Sequence, residues 1–185
     1  MKSNKIHDQI LWVTRTGILV ALLITLQWAT AGTQAFAGQY ITGSCVNVVL
    51  AIAALTAGLW SGVTVALLSP FCAFLLGIGP KLIQIVPAVS VGNLVFVLVL
   101  SFAIGQKKTG IPTQAVGLAL ASVAKFATLY LLVVKLIVPA LAAGLKPQQI
   151  ATFSTMFSFP QLITAAIGGT LALLIVPILR KTLKK

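Results

Sequence analysis

Six long runs of apolar residues, separated by short polar breaks, dominate this chain and leave few folds open to it. They cover approximately residues 11–31, 44–58, 62–77, 83–104, 113–138 and 153–179. A bilayer core about 30 Å thick needs roughly 20 apolar residues per helix, and the longer runs reach that length. Leu, Val, Ile and Ala follow one another without the alternation of a membrane β-strand. Only 8% of the 185 residues are charged against 59% hydrophobic, with a mean hydropathy of +1.10. A soluble domain carries about a quarter charged residues, so this chain has too few to cover a globule in water. The reading is all-α: a multi-pass integral membrane protein, one transmembrane domain over residues 1–185, folded as a six-helix bundle. The second and third runs, broken only around Gly58, Ser61 and Gly62, read as two helices joined by a tight turn, with one kinked helix as the alternative.

The charges orient the bundle. There are thirteen Lys and Arg against a single carboxylate, Asp8, for a net charge of +12. In a soluble protein that excess would suggest nucleic acid. Here the basic residues flank apolar runs, so the partner they imply is the lipid bilayer and not nucleic acid. Six spans put Lys2, Lys5, Arg15, Lys107, Lys108, Arg180, Lys181, Lys184 and Lys185 on one side. Lys81 and Lys146 fall on the other, with Lys135 near the end of the fifth helix. The positive-inside rule makes both termini cytoplasmic, and "inner" and "outer" are used in that sense below. The first run is long enough to span, and its basic flank reads as an anchor, not a processed leader.

Chemistry is narrowed by what the spans lack. The only histidine, His7, and the only carboxylate, Asp8, both precede the first span. No His/Asp/Glu set is available for a metal, and no Ser–His pair for nucleophilic attack, so catalysis, a metal and a cofactor are not expected. Cys45 and Cys72 lie in apolar stretches without C-x-x-C spacing, which suggests neither a disulfide framework nor a zinc site. No intramembrane acid or histidine is present to relay protons, and no phosphate-cradling G-x-x-x-x-G-K-[ST] loop occurs. Sodium held by carbonyls at broken helices stays open. A transporter built this way draws its energy from another subunit.

Lys125, near the middle of the fifth helix, is the most informative polar residue. Helical spacing places Gln114, Gly117, Ala121, Lys125, Thr128 and Lys135 on one stripe. No carboxylate in the membrane can pair with the ammonium, so its candidate partners are a bound anion, Gln or Asn carbonyls, helix-end carbonyls or water. Two readings stand: Lys125 lines a ligand cavity, or it snorkels or caps backbone structurally. Gln27, Asn47, Gln84 and Gln161 fall toward the outer side, with Gln39 and Tyr40 in the first outer segment. They form a polar set above Lys125 and Thr128, with Asn93 deeper. Each of them also reads as an ordinary helix-end residue. The uncharged segment 32–43, rich in Gly, Thr and Gln, reads either as a cover over an outward-facing pocket or as a plain surface loop. Further outer connections fall at 78–82 and 140–152. Pro80 and Pro87, near Gly79 and Gly92, imply a distorted outer segment with freed carbonyls. Small residues recur at Gly17, Ala21 and Thr25, and again at Ala165, Gly168 and Ala172; such spacing lets another helix approach closely, and one of these rows is expected to face a partner.

Taken together, the chain resembles the substrate-binding S component of energy-coupling factor (ECF) transporters over essentially its whole length. The stretches Leu59-Trp-Ser-Gly-Val-Thr-Val-Ala66, Gly77-Ile-Gly-Pro80 through Val91-Gly-Asn93, and Ala124-Lys-Phe126 carry the likeness, with the Gly17-x-x-x-Ala21 face of the first helix. Thr25 stands where a third small apolar residue would complete that face. The resemblance implies a membrane subunit of a bacterial or archaeal cell that captures a vitamin or vitamin precursor and has no ATPase of its own. Its partners would be a transmembrane coupling protein, contacted through Gly17, Ala21 and Thr25, and two cytoplasmic ATPases. Substrate would bind near the outer face, with segment 32–43 closing over Gln39, Tyr40, Gln84, Asn93, Lys125, Thr128 and Gln161. An unpaired Lys125 favours an anionic substrate such as pantothenate, with a neutral pyrimidine or pyridine precursor as the alternative. A self-sufficient channel or secondary carrier is the competing class.

Overall fold

A computed structural model describes residues 2–31, 36–79, 82–105 and 109–182. Pro80, Lys81, Lys107, Lys108, Lys184, Lys185 and the first part of segment 32–43 lie outside the described residues. Helix α1 (Lys2–Ala31) is followed by α2 (Phe36–Ile52), which continues as a π-helical turn over Ala53–Ala57. Helix α3 (Leu59–Leu75) and α4 (Ile85–Ala103) come next. Then α5 (Ile111–Leu129) runs on through a π-helical stretch (Tyr130–Ile137), α6 (Val138–Leu141) and a 3-10 turn (Ala142–Gly144). A short helix α7 (Pro147–Met156) leads into α8 (Phe159–Thr182). Five stretches are long and apolar enough to cross a membrane, and the 17-residue α3 makes the sixth helix of the bundle.

The apolar runs carry the helices through interior prolines, Pro70 in α3 and Pro177 in α8, because packing in the bundle outweighs one lost backbone hydrogen bond. The turn between α2 and α3 is a single residue, Gly58, at φ 101°. That left-handed backbone suits glycine, so the two-helix reading of this region holds. Pro87 does not interrupt α4. It sits in the first turn, where the missing N–H costs no intrahelical hydrogen bond.

Two outer connections differ from expectation. Residues 36–43 are the first turns of α2, not a loop, since nothing there stops a helix once it is begun. Residues 140–152 are mostly helical as well, carrying the end of the fifth helix and most of α7. The break ahead of α8 falls at Phe157 and Ser158, so the expected run from 153 starts in α7 and continues in α8.

Helix α2 is central, packed most extensively on α8 and also against α1; α4 packs between α3 and α5. The inner core holds Leu50, Leu55, Phe96, Val97, Leu100 and Ala172. A second cluster gathers nearer the outer end around Ile85, Leu129, Val133, Phe153 and Phe157. At the inner end the Arg180 guanidinium donates to Leu55 O (2.8 Å) and Gly105 O (3.0 Å). It ties α8 to the end of α2 and to the chain after α4.

The row Ala165, Gly168, Ala172 faces inward, not toward a partner. Ala165 and Ala172 are fully buried. A Cβ placed on Gly168 would lie 2.5 Å from Ser44 O and 2.6 Å from Asn47 Cβ. Backbone meets backbone here, so no side-chain rotation relieves the clash. Gly168→Ala is expected to cost about 1–3 kcal/mol by overpacking, read as a lower unfolding temperature in detergent. The lipid-exposed Ala166→Leu on the same helix should leave that temperature unchanged; equal behaviour of the two would refute the close approach.

Candidate functional site

The site is built from three helices that meet halfway along the bundle. Asn47 lies midway along Phe36–Ala57, and Asn93 midway along Ile85–Ala103. Lys125 reaches between them from α5. Its Nζ donates to Asn47 Oδ1 at 2.6 Å and to Asn93 Oδ1 at 2.7 Å. The three residues are 1–2% exposed, so these bonds are made out of reach of water. The ring of Phe96, one turn inward of Asn93, has its centroid 5.5 Å from Nζ, within cation–π range.

The geometry of Asn47 is itself fixed. Its Nδ2 donates to Gly43 O at 2.8 Å, one turn back in α2, and lies 3.4 Å from Thr164 Oγ1 on α8. With its amide nitrogen so engaged, the carbonyl oxygen must turn to Lys125. Gly168 allows α2 and α8 to approach closely enough for this, and Gly117 and Ala121 keep the inner part of the Lys125 face small and buried.

Two hydrogen bonds solvate the ammonium without neutralising it. A lysine at the centre of a spanning helix costs about 2.5–3.5 kcal/mol on insertion scales. A hydrogen bond to a charged group returns about 1.5–3 kcal/mol, so two offset the desolvation. They account for two of the three N–H donors. Asp8, the only acidic side chain in the sequence, lies near the start of α1 at its inner end, whereas Lys125 sits at mid-bundle with two neutral amides as its hydrogen-bond acceptors. The snorkelling reading fails on position, since the nitrogen points into the bundle. Of the candidate partners for Lys125, the asparagine carbonyls are the ones in place.

The other residues picked out from the sequence fall into separate sets. Gln39 and Gln161 converge: Nε2 of each donates to Met156 O, at 2.9 and 3.0 Å. Thr128 turns its hydroxyl back to Ala124 O at 2.8 Å, which satisfies it within its own helix. Gln84 is exposed ahead of α4, and Tyr40 is half-buried in α2. Lys135 leaves the Lys125 stripe because the π-helical stretch shifts the register; it is exposed, with Nζ 5.5 Å from the Tyr130 ring centroid. Asn47, placed by sequence only among the outer polar residues, proves to be one of the two residues that hold Lys125. Ser122 had no signal at all: it is buried one turn inward of Lys125, with a hydroxyl lacking a partner among the described residues.

On the bundle's flank, α1 and α3 form an apolar groove of about 410 Å³ lined by Trp12, Thr16, Gly17, Ala21, Thr64 and Leu68, among others. Gly17, Ala21 and Thr25 are all exposed, and nothing lies within 4 Å of a Cβ placed on Gly17. Thr25 donates its hydroxyl to Ala21 O at 2.9 Å. This polar group is thereby satisfied inside α1. Among the described residues, no group of three or more His, Cys, Asp or Glu is placed to hold a metal.

A family model, that of the ECF transporter substrate-specific component, matches residues 12–180. The chain belongs to this family. It is thus a substrate-specific membrane component of an ECF transporter, a transport subunit and not an enzyme. Membership covers all six helices, from the exposed small face of α1 to Arg180. No curated protein and no solved structure matches the chain significantly.

The hydrogen bonds of this S component predict a coupling that stability measurements can read. Asn93→Leu removes an acceptor from a buried cation and should destabilise the bundle by about 1–3 kcal/mol. In a Lys125→Met background the same change should cost much less, because no charge then needs the oxygen. Equal costs in both backgrounds, by unfolding in detergent, would show that the pair is not coupled.

Proposed function

We propose that this S component captures a vitamin or vitamin precursor bearing an anionic group at the outer side of a bacterial or archaeal cell membrane. Lys125 is the residue that binds the anion. The observation that supports this is an ammonium at the bundle midplane, hydrogen-bonded to two neutral amides and to no acid. An anionic oxygen meeting it at about 4 Å gains roughly 4 kcal/mol at an effective dielectric of about 20. A neutral ring nitrogen or carbonyl gains only a hydrogen bond. A carboxylate such as that of pantothenate therefore suits the site better than a neutral pyrimidine or pyridine. Asn93 orients the ammonium, with Asn47 as its second anchor.

Energy comes from partners in this reading: a transmembrane coupling protein and two cytoplasmic ATPases. The exposed Gly17 and Ala21 offer the coupling protein a close approach, since small residues let helix backbones meet, and Thr25 extends the face without an unsatisfied hydroxyl. Substrate binds from the outer side, and coupling to the ATPases returns the loaded site to the inner side.

Three measurements test these roles. Small molecules released by heat from the purified protein, identified by mass spectrometry, should include an acidic compound that is absent from Lys125→Ala. A neutral compound retained equally by both would refute the anion assignment. In liposomes the protein alone should not accumulate that compound; uptake without ATP or partners would identify a self-sufficient carrier instead. Ala21→Trp, which fills the small face, should abolish co-purification with the coupling protein while ligand retention persists.

A further inference from the structure

The outward route from Lys125 is closed by side chains. Leu129, one turn outward on α5, is fully buried and packs over Gly92, the neighbour of Asn93. Val133 and Ile85 continue the column, and Phe153 and Phe157 cap it in the same apolar cluster. Phe153 belongs to α7, and Phe157 follows it directly. Helix α7 turns its other side to the exterior, with Gln148, Gln149, Thr152 and Thr155 exposed.

The two ends of α7 are built differently. Before it, Leu145 and Lys146 are both extended, following an exposed Gly144. After it, Met156 O accepts from Gln39 on α2 and from Gln161 on α8. Both bonds are neutral amide-to-carbonyl bonds, each worth about 0.5–1.5 kcal/mol net, and both converge on one backbone atom. An amphipathic ten-residue helix, capped at its start within itself by Lys146 N donating to Gln149 Oε1 and tied to α2 and α8 by side chains at Met156 O, stands over the buried Lys125 ammonium.

We infer that α7 is the moving cover of the substrate site, hinged at Leu145 and Lys146 and latched by Gln39 and Gln161 at Met156. The inference rests on the capture reading of Lys125. It gives Gln39 and Gln161 the role of latch residues, which respond to the position of α7, instead of direct ligand contacts. Release of the two amides lets Phe153 lift from Val133 and Leu129 and opens the route to the ammonium.

The test needs no ligand. In full-length protein with Cys45→Ala and Cys72→Ala, reconstituted in nanodiscs, Val133→Cys reports access beneath α7. Val65→Cys, fully buried on α3, reports general loosening. Labelling by a charged maleimide should be slow at both positions. Adding Gln39→Glu and Gln161→Glu, which replaces each donor with an acceptor of the same shape, should raise labelling at Val133→Cys at least tenfold and leave Val65→Cys unchanged. No rise at Val133→Cys overturns the latch, and so does a parallel rise at both positions. Labelling that rises as expected in a protein that retains no anionic compound would sink the capture reading and leave the cover intact. Retention without the rise would do the reverse.

Discussion

The Lys125 ammonium, suspended between the carbonyl oxygens of Asn47 and Asn93, governs how the helices of this bundle are arranged. Three helices must bring one side chain each to the same depth, and each approach depends on small residues elsewhere. Helix α2 reaches its position only because Gly168 admits its backbone to α8. The fully buried Ala121 keeps the neighbouring part of α5 small. The apolar clusters on either side then exclude water from the charge. Without that exclusion the amides would be exchanged for solvent and the site would lose its definition.

The two ends of the bundle are closed by different chemistry. At the inner end, a guanidinium bridges two backbone carbonyls from separate elements. Charge-assisted hydrogen bonds are about twice as strong as neutral ones. At the outer end, among the described residues, neutral groups make the ties: glutamine amides hold a carbonyl at the end of a short helix, Thr42 donates to Thr30 between α2 and α1, and apolar packing lies beneath. Bond for bond, the described polar ties at the outer end are therefore the weaker. The capture from the outer side proposed above would draw on that asymmetry, because opening must favour the face on which substrate arrives.

Most of the architecture was legible in hydropathy and charge, since six apolar runs in a lipid solvent leave one backbone solution. The helix ends were not. Residues 36–43 are polar enough to read as a loop, yet only a neighbouring helix decides whether Gln39 finds a partner, and here α7 supplies Met156 O. The midplane position of Lys125 was visible, and Asn93 was singled out from its depth. Asn47 was placed too near the outer surface because α2 begins eight residues earlier than its apolar run. The drift of Lys135 off the stripe follows from the π-helical stretch Tyr130–Ile137, which no periodicity of 3.6 anticipates. The inward direction of the Ala165, Gly168, Ala172 row was hidden for a related reason: spacing reveals that a face is small but not what it meets.

Amides serve this site better than a carboxylate would. A buried Asp beside Lys125 would make an ion pair, and an arriving anion would have to displace it against strong attraction or bind an already neutral pair. Either outcome would remove the electrostatic gain on which the proposed preference for acidic compounds rests. Asparagine oxygens provide hydrogen bonds of 2.6–2.7 Å and carry no net charge. They stabilise the ammonium enough for it to remain in the membrane while its field stays uncancelled. The cost is that the bundle holds a charge paired only with neutral amides. That cost is tolerable only while two amide oxygens hold the ammonium, which is why Lys125 and its paired asparagines are buried together beneath the outer apolar cluster.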